Sequence, residues 1–309
     1  MMKWIKKGKI FQINENQYTV SHSQCPIALH KYSDVYRIYF SSRDINNCSL
    51  PVFIDFDIKL KKIIKIGNKP LLQLGSIGTF DEAGVMPQDI IKHEDKIYMY
   101  YTGWHLRTTT PFSTAIGLAI SNDGGDTFKK VSIGPILSVS KDDPFFVGGN
   151  SVIVDENKFK MWYLSCTEWK KIANKFEPVY LIKYAESDDG IEWQRKNHIC
   201  IPYEYDGEAI ARPYVIKDSK TYKMWYSSRS SINYRGEDAK NSYKIGYAES
   251  EDGLNWIRKD KNVGIRPSKN DWDSEMIAYA SIIFNNKKIM FYNGNGFGKS
   301  GFGYAVLED

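Results

Sequence analysis

Tyr222-Lys223-Met224-Trp225-Tyr226 decides the fold, because the chain spells nearly the same word five times. Phe159-Lys160-Met161-Trp162-Tyr163 is almost identical, and Ile97-Tyr98-Met99-Tyr100-Tyr101 is a looser copy. Lys288-Ile289-Met290-Phe291-Tyr292 and Tyr36-Arg37-Ile38-Tyr39-Phe40 complete the set. The central residues Ile38, Met99, Met161, Met224 and Met290 stand 61, 62, 63 and 66 residues apart. A near-constant period of this kind means an array of one structural unit. The 309 residues hold five copies and leave no room for a sixth.

Each unit has the same parts. An apolar segment comes first, such as Ser151-Val152-Ile153-Val154 or Ser281-Ile282-Ile283-Phe284. A short polar turn leads into the repeated word. A third segment follows after a variable loop, as in Ile182-Lys183-Tyr184-Ala185-Glu186. It ends in a turn spelled Ser121-Asn122-Asp123-Gly124, Ser187-Asp188-Asp189-Gly190 or Ser250-Glu251-Asp252-Gly253. Glycine accepts the positive φ that such turns need. A fourth segment then runs to a proline, from Trp193 to Pro202 and from Trp256 to Pro267. Short segments rich in aromatic and β-branched residues, bounded by Gly, Asn and Asp, read as strands. Four antiparallel strands repeated five times predict an all-β, five-bladed β-propeller, a single domain over residues 1–309. The last unit stops at its third strand, Gly303-Tyr304-Ala305-Val306-Leu307. Trp4-Ile5-Lys6-Lys7 matches Trp256-Ile257-Arg258-Lys259, so the first strand is expected to complete the last blade and close the ring. The Met and Trp of the repeated word belong to the blade core on this reading.

Composition narrows the partners. Aromatic residues make up 14% of the chain, 21 of them Tyr, which suits strands. The net charge of +5 is carried by scattered residues, which argues against a nucleic-acid polymer as partner. Cys25, Cys48, Cys166 and Cys200 have no metal-type spacing and read as free thiols of a reducing compartment. Nor do the five His residues show ligand spacing, so neither metal nor cofactor is expected. No apolar run approaches the ~20 residues of a membrane span. Residues 1–10 lack the apolar core of a signal peptide, so a cytoplasmic location is expected. Gly294-Asn295-Gly296-Phe297-Gly298-Lys299-Ser300 superficially suggests a phosphate loop, but Asn293 replaces its first glycine and a strand follows.

Function is expected on the loops at one end of the ring. Two regions stand out. Acidic words precede the inner strands: Phe80-Asp81-Glu82, Asp142-Asp143-Pro144, Tyr205-Asp206-Gly207-Glu208 and Trp272-Asp273-Ser274-Glu275. Unit one has His22-Ser23-Gln24-Cys25-Pro26 and no acid. Carboxylates converging on one channel mouth would raise one another's pKa, as glycoside cleavage by an acid and a base requires. Alternatively, these side chains bind loop amides. Glu208 is the candidate acid, Asp81 or Glu82 the base, and Asp143 or Glu275 the group that tunes them. Arg212, four residues after Glu208, would hold a substrate anion or keep Glu208 ionised. The second region follows the repeated words. There Arg43, Trp104, His105, Arg229 and Asn293, with Asn150 and Tyr279 near the inner strands, are candidate sugar contacts. Aromatic faces stack on sugar rings, and amide and guanidinium groups bond hydroxyls.

The Ser-x-Asp-Gly turns and Lys-Met-Trp-Tyr strands resemble the five-bladed propeller glycosidases, the relatives of glycoside hydrolase families 32, 43, 68 and 130. The resemblance spans the whole chain. It implies a carbohydrate-active enzyme that cleaves or transfers a glycosidic bond with paired carboxylates. Family 43-type enzymes place a base Asp, a pKa-modulating Asp and an acid Glu ahead of the first three inner strands. Here the order Asp81, Asp143, Glu208 stands one blade later. Family 130 phosphorylases pair an acid with phosphate-binding basic residues, which Arg212, Arg43 and His22 resemble. The alternatives are therefore a glycosyltransferase or phosphorylase using a sugar-nucleotide or sugar-phosphate in surface-polysaccharide metabolism, and a non-catalytic glycan-binding propeller. Ser121-x-Asp123-x-Gly125-x-Thr127-Phe128 also matches the sialidase Asp-box, although a sialidase would need six blades.

Overall fold

The computed structural model describes residues 1–13, 19–67, 69–235 and 239–308. Strand β1 (Trp4–Phe11) opens the chain but belongs to the last blade. The first blade follows as β2 (Ser21–Tyr32), β3 (Val35–Arg43), β4 (Ser49–Asp57) and β5 (Lys62–Ile66). The second is β6 (Gly84–His93), β7 (Lys96–Leu106), β8 (Phe112–Ser121) and β9 (Lys129–Lys130). The third is β10 (Val147–Asp155), β11 (Lys158–Ile172), β12 (Lys175–Ser187) and β13 (Gln194–Ile201). The fourth is β14 (Glu208–Asp218), β15 (Thr221–Ser230), β16 (Lys244–Ser250) and β17 (Ile257–Arg258). The fifth is β18 (Ala278–Asn285), β19 (Lys287–Asn293), β20 (Phe302–Leu307) and β1. The all-β five-bladed propeller expected from the repeat is the architecture observed. Its closure is too: β1 pairs antiparallel with β20, Trp4 opposite Leu307. The fourth strand of blade four is shorter than expected, only Ile257–Arg258.

The repeated word forms the second strand of every blade, and its centre is the core. Ile38, Met99, Met161, Met224 and Met290 are all fully buried. The residue after the centre reaches into the next blade. Tyr39 Oη donates to the Gly125 carbonyl at 3.3 Å, Tyr100 Oη to Gly190 at 3.0 Å, and Trp162 Nε1 to Gly253 at 2.7 Å. Those glycines sit in the recurring turns. Each turn is held by a serine hydroxyl and an aspartate that collect backbone N–H groups, for example Gly125 on Ser121 Oγ and Thr127 on Asp123 Oδ1. The fifth blade is closed by β1 and lacks such a turn, and Trp225 Nε1, which would reach it, is buried without a partner among the described residues. At the same position Phe291 carries no polar group to satisfy.

The residue that ends the word explains the acidic words. Tyr101 Oη donates to Asp81 Oδ2 and Tyr163 Oη to Asp143 Oδ2, both at 3.1 Å. Tyr226 Oη donates to Asp260 Oδ1 at 2.6 Å, and Tyr292 Oη to Asp273 Oδ2 at 3.0 Å. A cation from the outermost strand completes each tie. Lys130 lies 2.6 Å from Asp81, Arg195 2.9 Å from Asp143, Arg258 2.9 Å from both Glu208 and Asp260, and Lys6 2.5 Å from Asp273. Four blades thus share an acid clamped between the second and fourth strands, buried as Asp81, Asp143 and Asp273 and half-buried as Asp260. Blade one has Phe40 where the others have Tyr, and it is the blade whose acidic word is missing.

Candidate functional site in the axial cavity

All five inner strands bulge at the same height, where they face the propeller axis. Cys25, Gly149, Arg212 and Tyr279 take positive φ there, at 56°, 44°, 43° and 58°. For the three that are not glycine this costs on the order of 1–3 kcal/mol each, and such strain gathers where backbone must aim a side chain at a site. In β6 the extra residue is Gln88. The bulges, with Met86, Thr102, Phe112, Thr114, Phe146, Tyr180 and Tyr243, surround an axial cavity of ≈ 190 Å³. That is below the ~300–1,000 Å³ of pockets for drug-sized ligands, and suits a single sugar ring or a small charged group.

Arg212 supplies the charge of this cavity. Its Nε donates to Gln88 Oε1 at 3.2 Å, Nη1 to the Ala280 carbonyl at 2.9 Å and Nη2 to the Gln88 carbonyl at 3.1 Å. A guanidinium has five N–H groups, so one on each Nη is uncommitted among the described residues. Arg212 is 2% exposed, and no carboxylate lies within ion-pair distance of it among the described residues. No carboxylate lines the cavity either. The nearest in sequence to a lining residue is Asp89, beside Gln88. Burial raises its pKa to about 6 against the hydrogen bonds of Val152 N and Ser151 Oγ and the charge of Arg212. It bridges β6 to β10 through those two bonds, at 2.7 and 2.9 Å.

The five expected catalytic carboxylates are elsewhere. Glu208, the expected proton donor, is held in an ion pair with Arg258. Its carboxylate takes both Nη groups of Arg258 at 2.9 Å, the Glu204 amide at 2.8 Å and Ser228 Oγ at 2.6 Å. Burial alone would raise its pKa, but these partners outweigh burial and lower it. An acid held ionised in this way has no proton to give at neutral pH. The alternative of Arg212 pairing with Glu208 is not what forms. Asp81 and Asp143 are the blade clamps already described. Asp143 also meets Lys183 at 3.2 Å, and Ser165, Lys183 and Arg195 lower its pKa despite burial. Glu82 accepts the Gly78 amide at 2.6 Å, the loop-binding alternative. Glu275 is solvent-exposed.

Of the expected sugar contacts, Arg212 and Tyr279 line the cavity. Asn150 follows Gly149 in the bulge of β10; it is fully buried and both polar atoms of its amide lack partners among the described residues. Asn293 holds the bulge of β2, accepting the Cys25 amide at 2.7 Å and donating to the Ser23 carbonyl at 2.6 Å. Arg43 and Arg229 do not lie on loops: Arg43 ends β3 and Arg229 is the last residue but one of β15. Arg43 bonds Gln24 and Asn47. Burial, then the charges of Arg43 and Lys299, push His22 down to about 4, so it is neutral at pH 7. Arg229 sits behind the cavity wall, stacked 3.7 Å from the Tyr234 ring centre. Trp104 and His105 are not in the lining: Trp104 lies flat on Gly84, where a Cβ would come within 1.6 Å of its Nε1. Gln88, Tyr180 and Tyr243 were not anticipated. Tyr180 falls where a variable loop was expected, but β11 and β12 run on past the repeated word as one long hairpin.

No protein-family model matches the chain. An uncharacterized protein of Mycobacterium tuberculosis H37Rv is 36% identical over 312 aligned residues, covering 100% of both chains. A second from strain CDC 1551 has the same identity and coverage. Among solved structures, a glycoside hydrolase superimposes with a TM-score of 0.74 at 18% identity, over 99% of this chain and 91% of that one. A thermostable family-43 glycoside hydrolase gives 0.66 at 17%, over 94% and 91%. An exo-1,5-α-L-arabinanase from a bovine ruminal metagenomic library gives 0.60 at 17%, over 95% of each chain.

Proposed function

We propose a ligand for this chain on the premise that it belongs to one family with the two uncharacterized Mycobacterium tuberculosis proteins and has the fold of the propeller glycosidases. The ligand is a carbohydrate carrying a carboxylate or a phosphate, bound in the axial cavity with its anion on Arg212. One observation carries the reading: among the described residues, a buried guanidinium with no carboxylate at ion-pair distance keeps two N–H groups uncommitted at a cavity that no carboxylate lines. Burying an unpaired cation costs several kcal/mol. A planar fork that receives an oxyanion regains it. Tyr180, Tyr243 and Tyr279 supply faces on which a sugar ring can stack.

The test is calorimetric titration with glucuronate, galacturonate and glucose 1-phosphate, each beside the matching neutral hexose or methyl ester. The anionic members should bind and the neutral ones should bind at least tenfold more weakly. Arg212→Met should remove the difference. Equal affinity for charged and neutral sugars, or a preference that survives Arg212→Met, sinks the reading.

Cleavage or transfer of a glycosidic bond at the same cavity is the second reading, and the fold shared with glycoside hydrolases over nearly the whole chain favours it. On that reading the carboxylates Glu208, Asp81, Glu82, Asp143 and Glu275 would have to exchange their present partners for substrate. A sugar-phosphate or sugar-nucleotide donor would bring the anion that Arg212 receives.

A further inference from the structure

We infer that Tyr243 is a directed hydrogen-bond donor to the anion in the axial cavity, aimed there by Tyr180 and Arg229. The inference rests on the anion-binding reading of Arg212 and adds the second group that recognises the ligand.

The argument is a count of hydrogens. Arg229 is 2% exposed and has no carboxylate within ion-pair distance among the described residues. Its five N–H groups are committed among Tyr180, Pro178, Ser230 and Ser231, and the guanidinium also interacts with the Tyr243 hydroxyl, whose oxygen can only accept from it. Nε donates to Tyr180 Oη at 3.2 Å and Nη2 to the same oxygen at 3.0 Å. Nη2 also reaches the Pro178 carbonyl at 3.1 Å, and Nη1 reaches Ser230 O at 3.0 Å and Ser231 Oγ at 3.5 Å. Two donors from one cation fill the acceptor side of the Tyr180 oxygen. Its own hydrogen must then go to its remaining neighbour, Tyr243 Oη, with which it is in hydrogen-bond contact. Tyr243 is the acceptor in that pair, and its hydroxyl hydrogen has no acceptor among the described residues. Both rings line the cavity, and Tyr243 is packed against Tyr279, ring centres 5.6 Å apart.

The consequence is a cavity lined by no carboxylate, whose donors include two N–H groups of Arg212 and the O–H of Tyr243. The chain from Arg229 through Tyr180 also polarises the Tyr243 hydroxyl toward donation. Such a set selects an oxyanion with at least two acceptor oxygens, a carboxylate or a phosphate monoester, over a hydroxyl or an ester. Tyr243 contacts the ligand; Tyr180 and Arg229 are positioning residues.

Tyr243→Phe removes the donor and keeps the ring. Its affinity for glucuronate and glucose 1-phosphate should fall about tenfold or more, the range for a hydrogen bond to a charged group. Its affinity for methyl glucuronate should hold. Tyr180→Phe should lower the acid-to-ester affinity ratio several-fold while keeping ester affinity, because Tyr243 is then no longer directed. A purely structural role for Tyr180 would weaken acid and ester together, and that result overturns the relay. If wild type prefers the anions and loses the preference in Arg212→Met, yet Tyr243→Phe keeps it, this inference is wrong and the Arg212 reading stands. If wild type shows no preference for the anions, the Arg212 reading fails first.

Discussion

Glu208 separates a catalytic from a structural carboxylate. It was the strongest acid candidate because a Glu recurs before three inner strands, and repetition looked functional. The repeated Glu do not share one role. The blade clamps are aspartates, each between a tyrosine and a cation in four of the blades, whereas Glu208 pairs with Arg258, Glu82 takes the Gly78 amide and Glu275 faces solvent. The sequence carried that signal in Phe40: the unit lacking the acid also lacks the phenol. What sequence spacing could not reveal was Arg258, 50 residues away, closing on Glu208 with two bonds. The difference is measurable. Glu208→Gln leaves Arg258 with one fewer counter-charge in a buried site, a loss of about 3 kcal/mol at pH 7. The native pKa is lowered below its unfolded value near 4.3, so the stability it contributes is present above about pH 4 and is lost as pH falls through the folded pKa. Denaturant unfolding of Glu208→Gln should therefore show a deficit at pH 7 that shrinks on acidification below pH 4. A deficit that is absent at pH 7, with a loss of glycan turnover, would return Glu208 to catalysis.

Strands were legible because short aromatic and β-branched segments and the Asp-Gly turns recur at a near-constant period. The closing strand was legible for the same reason, since Trp4-Ile5-Lys6 copies Trp256-Ile257-Arg258 down to the cation that meets the blade's acid. Strand ends were not, because the hairpin of β11 and β12 extends beyond the repeat with a sequence of its own. That extension carries Tyr180 and Pro178 over Arg229, and so builds part of the cavity wall from residues that no periodicity marks. For β1 the prediction is severe. Removing residues 1–10 strips Trp4 from the core between blades four and five, exposes the edge of β20, and leaves Asp273 without Lys6. Loss of a buried aromatic is worth about 3–5 kcal/mol and an orphaned buried charge a similar amount. These approach the whole stability of an ordinary domain. The truncated chain should show no cooperative thermal transition, and a peptide of residues 1–13 added in excess should restore it. A truncated protein that melts within a few degrees of the intact one would contradict the closure.

A ring of five blades leaves one place where all of them meet, and there the strands bulge, strain and point Arg212 at open space. The axis is also where the sequence was least informative, because its lining is gathered from the bulges of five inner strands and from residues of their neighbouring strands and loops, far apart in sequence. Arg212 and Tyr279 were found by their proximity to acidic words that turned out to serve another purpose. The whole-molecule consequence is that a ligand on the axis touches several blades and stabilises the ring as a unit. A ligand at a hundred times its Kd adds about 2.7 kcal/mol. For 309 residues, an unfolding entropy of about 2.1 cal/mol/K per residue gives roughly 650 cal/mol/K, so Tm should rise by about 4 °C. The shift should appear with glucuronate or a sugar phosphate and be absent with the neutral hexose at equal concentration. Its time course distinguishes the two functional readings. A binding protein holds the same shift after overnight incubation with an anionic oligosaccharide. An enzyme consumes that ligand, so the shift drifts as product replaces it, and the drift stops in the variant that lacks the reacting carboxylate. A steady shift in wild type, with no released sugar in the same tube, would favour recognition without turnover.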